Sequence, residues 1–130
     1  MSNLAAAMPF AERLGIEVET ATAEEVRGSL DWAADLCTAG GVLHGGALMA
    51  LADSVGGLCA YLNLPEGASG TATIESKTNF FRPVREGRVE ALARPLHVGR
   101  RFVVVQTDLS DAAQKPVAQV TQTQAVLAQC

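Results

Sequence analysis

The chain has 130 residues and a mass of 13.6 kDa, room for one core of ordinary size and too little for two. Apolar residues make up 48% and charged residues only 18%, with a mean hydropathy of +0.18, which excludes a disordered chain and points to a surface partly turned toward another subunit. Fourteen acids against ten bases give a net charge of −4, and with one Trp and one Tyr the composition excludes general nucleic-acid binding.

A short helix is predicted over about 7–14, with Pro9 in its first turn and Gly15 just past its end. Ile16 to Thr20 and Glu25 to Trp32 read as strands, the second with Val26, Gly28, Leu30 and Trp32 on one face and Arg27, Ser29 and Asp31 on the other. Thr38 to Gly46 carries four glycines in nine residues and feeds a helix predicted over about 46–63. That helix is apolar almost all round, so burial on nearly all sides is expected. Leu64 to Ser69 breaks it. Four strands follow, Thr71 to Phe81, Arg88 to Val98, Phe102 to Leu109 and Pro116 to Leu127, the last alternating Val and Gln.

Strands joined by short turns imply an antiparallel sheet, and one buried helix implies that the sheet curls around it. The expectation is a single α+β domain over 1–130, with about five to six strands wrapped on one long central helix. One helix cannot cover so wide a sheet, and a homodimer is the simplest remedy. The longest apolar stretch, Gly45 to Leu62, holds four glycines and Asp53, a charge costing about 2.5 to 3.5 kcal/mol at a bilayer centre, so no membrane span is expected. Cys37, Cys59 and Cys130 are an odd number without CxxC spacing or a signal-peptide pattern, which fits a reducing cytoplasm.

Asp53 stands out chemically, as the only Asp, Glu, Lys or Arg between Leu36 and Pro65. A carboxylate amid apolar residues either makes a structural bond to the sheet or acts as a general base or nucleophile, with desolvation tending to raise its pKa. His44-Gly45-Gly46 at the helix start offers free N–H groups at the positive end of the dipole, suited to a developing oxyanion or simply to tight packing. Cysteine or serine triads through Cys37 or Ser54 lack a local signature. His44 and His97, the only histidines, have no carboxylate at metal-ligand spacing, and no metal is expected. Residues 77–101 hold Lys77, Arg82, Arg85, Arg88, Arg94, Arg100 and Arg101 against Glu86 and Glu90, a basic run that would suit a phosphorylated ligand or lie on solvated strand faces.

The run Gly41 to Asp53 (GVLHGGALMALAD), followed by Asn79 to Pro83 (NFFRP) and Gly99-Arg100-Arg101, resembles the hotdog-fold acyl-CoA thioesterases of the phenylacetate-degradation type, over about Phe10 to Leu127. The resemblance implies a hotdog fold, sites at a dimer interface, frequent tetramers, and hydrolysis of an acyl- or aryl-CoA thioester with no cofactor beyond the CoA of the substrate. It makes Asp53 the catalytic carboxylate, Gly45 the backbone donor to the thioester carbonyl, His44 an orienting group and Thr73 the hydroxyl that positions water or the carboxylate. Phe81, Arg82, Pro83, His97, Gly99, Arg100 and Arg101 would flank CoA. Many relatives carry Asn where this chain has Thr38, which leaves a hydroxyl for the water-positioning role. Relatives acting on naphthoyl thioesters tend to carry Glu in place of Asp53, which argues mildly against that substrate. A continuous helix separates Gly45 from Asp53 by about 12 Å, so one site must draw them from two chains. A non-catalytic acyl-CoA-binding module and a hydratase of the same fold are the alternatives.

Overall fold

The β-branched segments form strands and the Leu- and Ala-rich segment forms the one long helix, in a computed structural model that describes residues 4–128. Cys130 lies outside them. The order is a 3-10 turn at Leu4–Ala7, α1 (Pro9–Leu14), β1 (Glu17–Ala21), β2 (Val26–Asp31), α2 (Gly45–Tyr61), β3 (Ala68–Phe80), β4 (Arg88–Val98), β5 (Phe102–Ser110) and β6 (Pro116–Ala128). All six strands pair antiparallel in the spatial order β1-β2-β4-β5-β6-β3. The chain leaves β2, crosses the sheet as α2 and re-enters at the far edge as β3. This curved sheet on one long helix is the expected hotdog fold.

The predicted first helix is divided. Met8 is extended (φ −118°, ψ 90°) between the 3-10 turn and α1, because Pro9 offers no N–H to continue a helix and excludes the helical region for the residue before it. The break after α2 falls about two residues earlier than predicted, since α2 ends at Tyr61 and β3 already starts at Ala68.

The helix is not buried on nearly all sides. Its buried residues are Ala47, Leu48, Leu51, Ala52, Val55, Gly56, Cys59 and Ala60, a single stripe at helical spacing turned to the sheet. Burying Leu51 or Val55 contributes about 1.5–3 kcal/mol each. Away from that stripe Met49 is 39% and Tyr61 56% exposed, and Asp53 is exposed as well. A sheet can wrap only one side of a helix, and α1 covers only part of the rest. Edge strand β3 is equally bare, with Ile74 58% and Phe80 51% exposed.

Helix and sheet approach closely at Gly28, where a Cβ would stand 2.7 Å from Val55 Cγ2 and 2.9 Å from the Glu17 carbonyl oxygen. Part of the basic run is structural: Arg88 pairs with Asp31 at 2.8 Å and Arg94 with Glu25 at 3.4 Å. The Arg88 guanidinium holds the Asp31 carboxyl below its ordinary value. Burial pushes the Cys59 thiol up to about 11, which keeps it a neutral core group. Among the described residues no helix is long and apolar enough to cross a membrane.

Replacing Gly28 by Ala forces Val55 or β1 to move and should lower stability by about 1–3 kcal/mol. A fall in the urea midpoint with an unchanged m-value checks this; an unchanged midpoint would show that the contact relaxes freely.

Candidate active site

Two stations on α2 carry the candidate chemistry. At its start, His44 is extended (φ −63°, ψ 136°) and caps the helix, its Nδ1 accepting the Gly46 N–H at 2.8 Å. Backbone bonds from Leu43 N–H to the Val84 carbonyl and from His44 N–H to the Leu36 carbonyl, both 2.9 Å, fix the glycine-rich loop. Gly45 is the first helical residue, so its N–H has no intrahelical acceptor, and no other acceptor takes it among the described residues. The Phe80 ring from β3 covers it, with Cζ 3.2 Å from where a Cβ would stand. Thr38, Gly45, Phe81, Arg82 and Pro83 line one cavity of about 410 Å³ here.

Two turns along, Asp53 Oδ1 accepts a hydrogen bond from Gln122 Nε2 at 2.8 Å. Gln122 lies on β6 and is fully buried. Thr73, on neighbouring β3, accepts from Gln124 Nε2 at 2.8 Å. Asp53, Thr73 and Gln124 line a second cavity of about 580 Å³, whose other walls include Phe10, Leu58 and Tyr61. Arg100 and Arg101 line a third, of about 520 Å³, with Pro65 to Ala68 and Val126. The His97 imidazole packs on Gly99, its Nε2 2.8 Å from where a Gly99 Cβ would stand.

One chain therefore brings Asp53 to Thr73, and Thr38 and Gly45 to Phe81, Arg82 and Pro83, but does not bring the two groups together. Gly45 and Asp53 sit on one continuous helix, eight residues and about 12 Å apart. The expected burial of Asp53 is absent within the chain, because it lies at the flank of the buried stripe, where the Gln122 amide touches it from the sheet but leaves its outer side open. Ser54 donates to the Ala50 carbonyl at 2.8 Å and Cys37 to the Ala33 carbonyl at 3.4 Å, and no hydrogen bond joins either to His44 among the described residues. Gln122 and Gln124 were missed in the sequence because a strand alternating Val and Gln reads as apolar inside and polar outside. Counting by twos from buried Val120 finds them, since 120, 122 and 124 share a face.

Residues 40–118 match the family model of the thioesterase superfamily. The chain belongs to this superfamily. A 1,4-dihydroxy-2-naphthoyl-CoA hydrolase of Escherichia coli is 42% identical over 71 residues, 55% of this chain and 52% of that one. The chain thus spans about half the length of that curated relative. Solved thioesterase-superfamily neighbours cover more. A mutant thioesterase from Pseudomonas aeruginosa has a TM-score of 0.89 and 32% identity, covering 95% of this chain and 91% of that one. The phenylacetic acid degradation protein PaaI from Thermus thermophilus has a TM-score of 0.83 and 31% identity, covering 92% and 99%.

Removing the imidazole cap in His44→Ala should cost about 0.5–2 kcal/mol, while His44→Asn, which can cap the same N–H, should restore most of it. Thermal melting of the two variants checks this; equal losses would mean that the capping bond contributes nothing.

Proposed function

We propose that this protein hydrolyses an acyl- or aryl-CoA thioester to the free acid and CoA, at a site assembled from two copies of the chain. The observation that carries this is Asp53, the one charged side chain on α2, held by Gln122 at the mouth of an apolar-walled cavity. The acyl group occupies that cavity, among Phe10, Leu58 and Tyr61. The Gly45 N–H of a second copy, at the positive end of its helix, takes the carbonyl oxygen and stabilises the negative charge that develops there. His44 orients that donor by capping the same turn, and the Thr38 hydroxyl beside it hydrogen-bonds water.

Asp53 acts in one of two ways. As a base it takes a proton from water, whose oxygen bonds to the carbonyl carbon as the C–S bond breaks and the proton passes to the CoA thiolate. As a nucleophile it forms an anhydride with the acyl group, expels the thiolate and is regenerated by water. Thr73 keeps the carboxylate and water in register. Phe81, Arg82, Pro83, His97, Gly99, Arg100 and Arg101 flank the CoA, the arginines meeting its phosphates. The names of the Escherichia coli relative and the Thermus thermophilus neighbour support a thioester or aryl-acid substrate.

The uncovered stripe of α2 and the bare edge of β3 are where the second copy docks, which also accounts for the scarcity of charge. Pairs of such dimers form a homotetramer.

Asp53→Asn should lower turnover by about a thousandfold or more while the fold is kept, as release of free CoA from a panel of acyl-CoAs would read. Near-normal activity would overturn the assignment, and binding without CoA release in the wild type would mark a non-catalytic module. In a single-turnover reaction in heavy-oxygen water, label in the Asp53 carboxylate marks the nucleophile, since water then attacks the Asp53 carbonyl of the anhydride, and a base acquires none. Trapping the acyl-enzyme detects the nucleophilic route when water attacks the acyl carbon instead.

The shared site has its own test. Gly45→Pro removes the N–H and adds a ring that the Phe80 side chain must accommodate, at a helix position where Pro is favoured and after a residue already extended. This variant and Asp53→Asn should each be inactive, and their coexpression should restore about a quarter of the wild-type rate, the statistical share of intact sites in mixed dimers. No recovery would place each site within one chain.

A further inference from the structure

We infer that Gln122 is a positioning residue, a neutral donor built into the sheet to hold the Asp53 carboxylate in one rotamer; this rests on the catalytic reading of Asp53. The side chain is fully buried on β6 and reaches across to α2, where its Nε2 lies 2.8 Å from Asp53 Oδ1. An ionised carboxylate accepts and cannot donate, so the amide must present its NH2 to Asp53. That leaves Oε1 turned the other way, where it is buried without a partner, as is the Thr107 hydroxyl oxygen.

Both oxygens abut Gly56. A Cβ there would overlap Gln122 Oε1 and stand 3.0 Å from Thr107 Oγ1. The glycine is what lets the amide lie under the helix one turn beyond Asp53. A buried carbonyl without a partner is costly, and a core selected for stability alone would carry an apolar side chain at this position, as at Val120 two residues before. The feature that the cost maintains is the second hydrogen bond, the one to Asp53.

Gln124 repeats the device on the same face. It too is buried, and its Nε2 donates to Thr73 Oγ1, so the Thr73 hydroxyl proton is left to face the cavity that Asp53 lines. Two amides at alternate positions of one strand thus set a carboxylate and a hydroxyl in a common frame. Being neutral, Gln122 orients Asp53 through one donated bond without adding a charge beside it. The aqueous side of Asp53 carries no compensating cation among the described residues, since it makes no ion pair there.

The test uses the full-length assembled protein and the acyl-CoA that the wild type hydrolyses fastest. Gln122→Met keeps the length of the side chain and removes the donor. It should lower kcat about tenfold with little change in KM. Gln122→Glu has the same shape but replaces the donor by a second carboxylate oxygen, and it should lose at least as much kcat as the Met variant.

A merely structural role would lower the melting temperature and leave kcat of the folded variants near the wild-type value, and that result overturns the inference. Should the Gln122 variants fail to fold, Asp53→Asn still decides. The Gln122 side-chain amide protons should move in its NMR spectrum relative to the wild type, and an unchanged position overturns the inference. The activity of Asp53→Asn is measured alongside: if it stays active the catalytic reading has failed, whereas an inactive Asp53→Asn with wild-type kcat in the Gln122 variants discards the positioning role alone.

Discussion

A helix can lie against a sheet only as closely as the side chains between them permit, and here two glycines set that distance. Gly28 admits Val55 from the helix, and Gly56 admits Gln122 from the sheet. The two contacts lie on neighbouring positions of the buried stripe, one opening the sheet and the other opening the helix. With α2 seated this low, Asp53 falls within reach of β6. The position of the carboxylate is therefore a product of core packing, and not of the loop geometry that surrounds many catalytic groups.

Seating the helix low also decides what remains uncovered. The buried stripe takes most of the contact that one curved sheet can offer; Met49 and Tyr61 are left exposed, and Asp53 is touched by Gln122 on one side alone. Helix geometry keeps the Gly45 donor and the Asp53 carboxylate apart by a fixed span that no loop movement can shorten. A catalytic unit that needs both must take them from separate helices. The chemistry and the apolar composition thus make the same demand, through two unrelated constraints.

Much of this is legible in the residues because isolation is informative. Asp53 is conspicuous for want of any other charge from Leu36 to Pro65, and the glycines before it mark the helix start. The strands follow from β-branched runs, and only their ends shift. Gln122 is the opposite case: a polar residue on a strand reads as solvent-facing, and its burial depends on Gly56, 66 positions earlier in the chain, having no side chain. No local pattern contains that relation. The basic run was legible as a patch but not as a mixture, since the acids that occupy Arg88 and Arg94 lie on β1 and β2 or in the turn between them.

The cap at His44 also fixes a proton. Because Nδ1 accepts the Gly46 N–H, a neutral imidazole there carries its hydrogen on Nε2. That ring has no lone pair left with which to abstract a proton. It can only give a hydrogen bond, so the start of α2 is a place of donors, and the proposed hydrolysis takes its base or nucleophile from elsewhere on the helix.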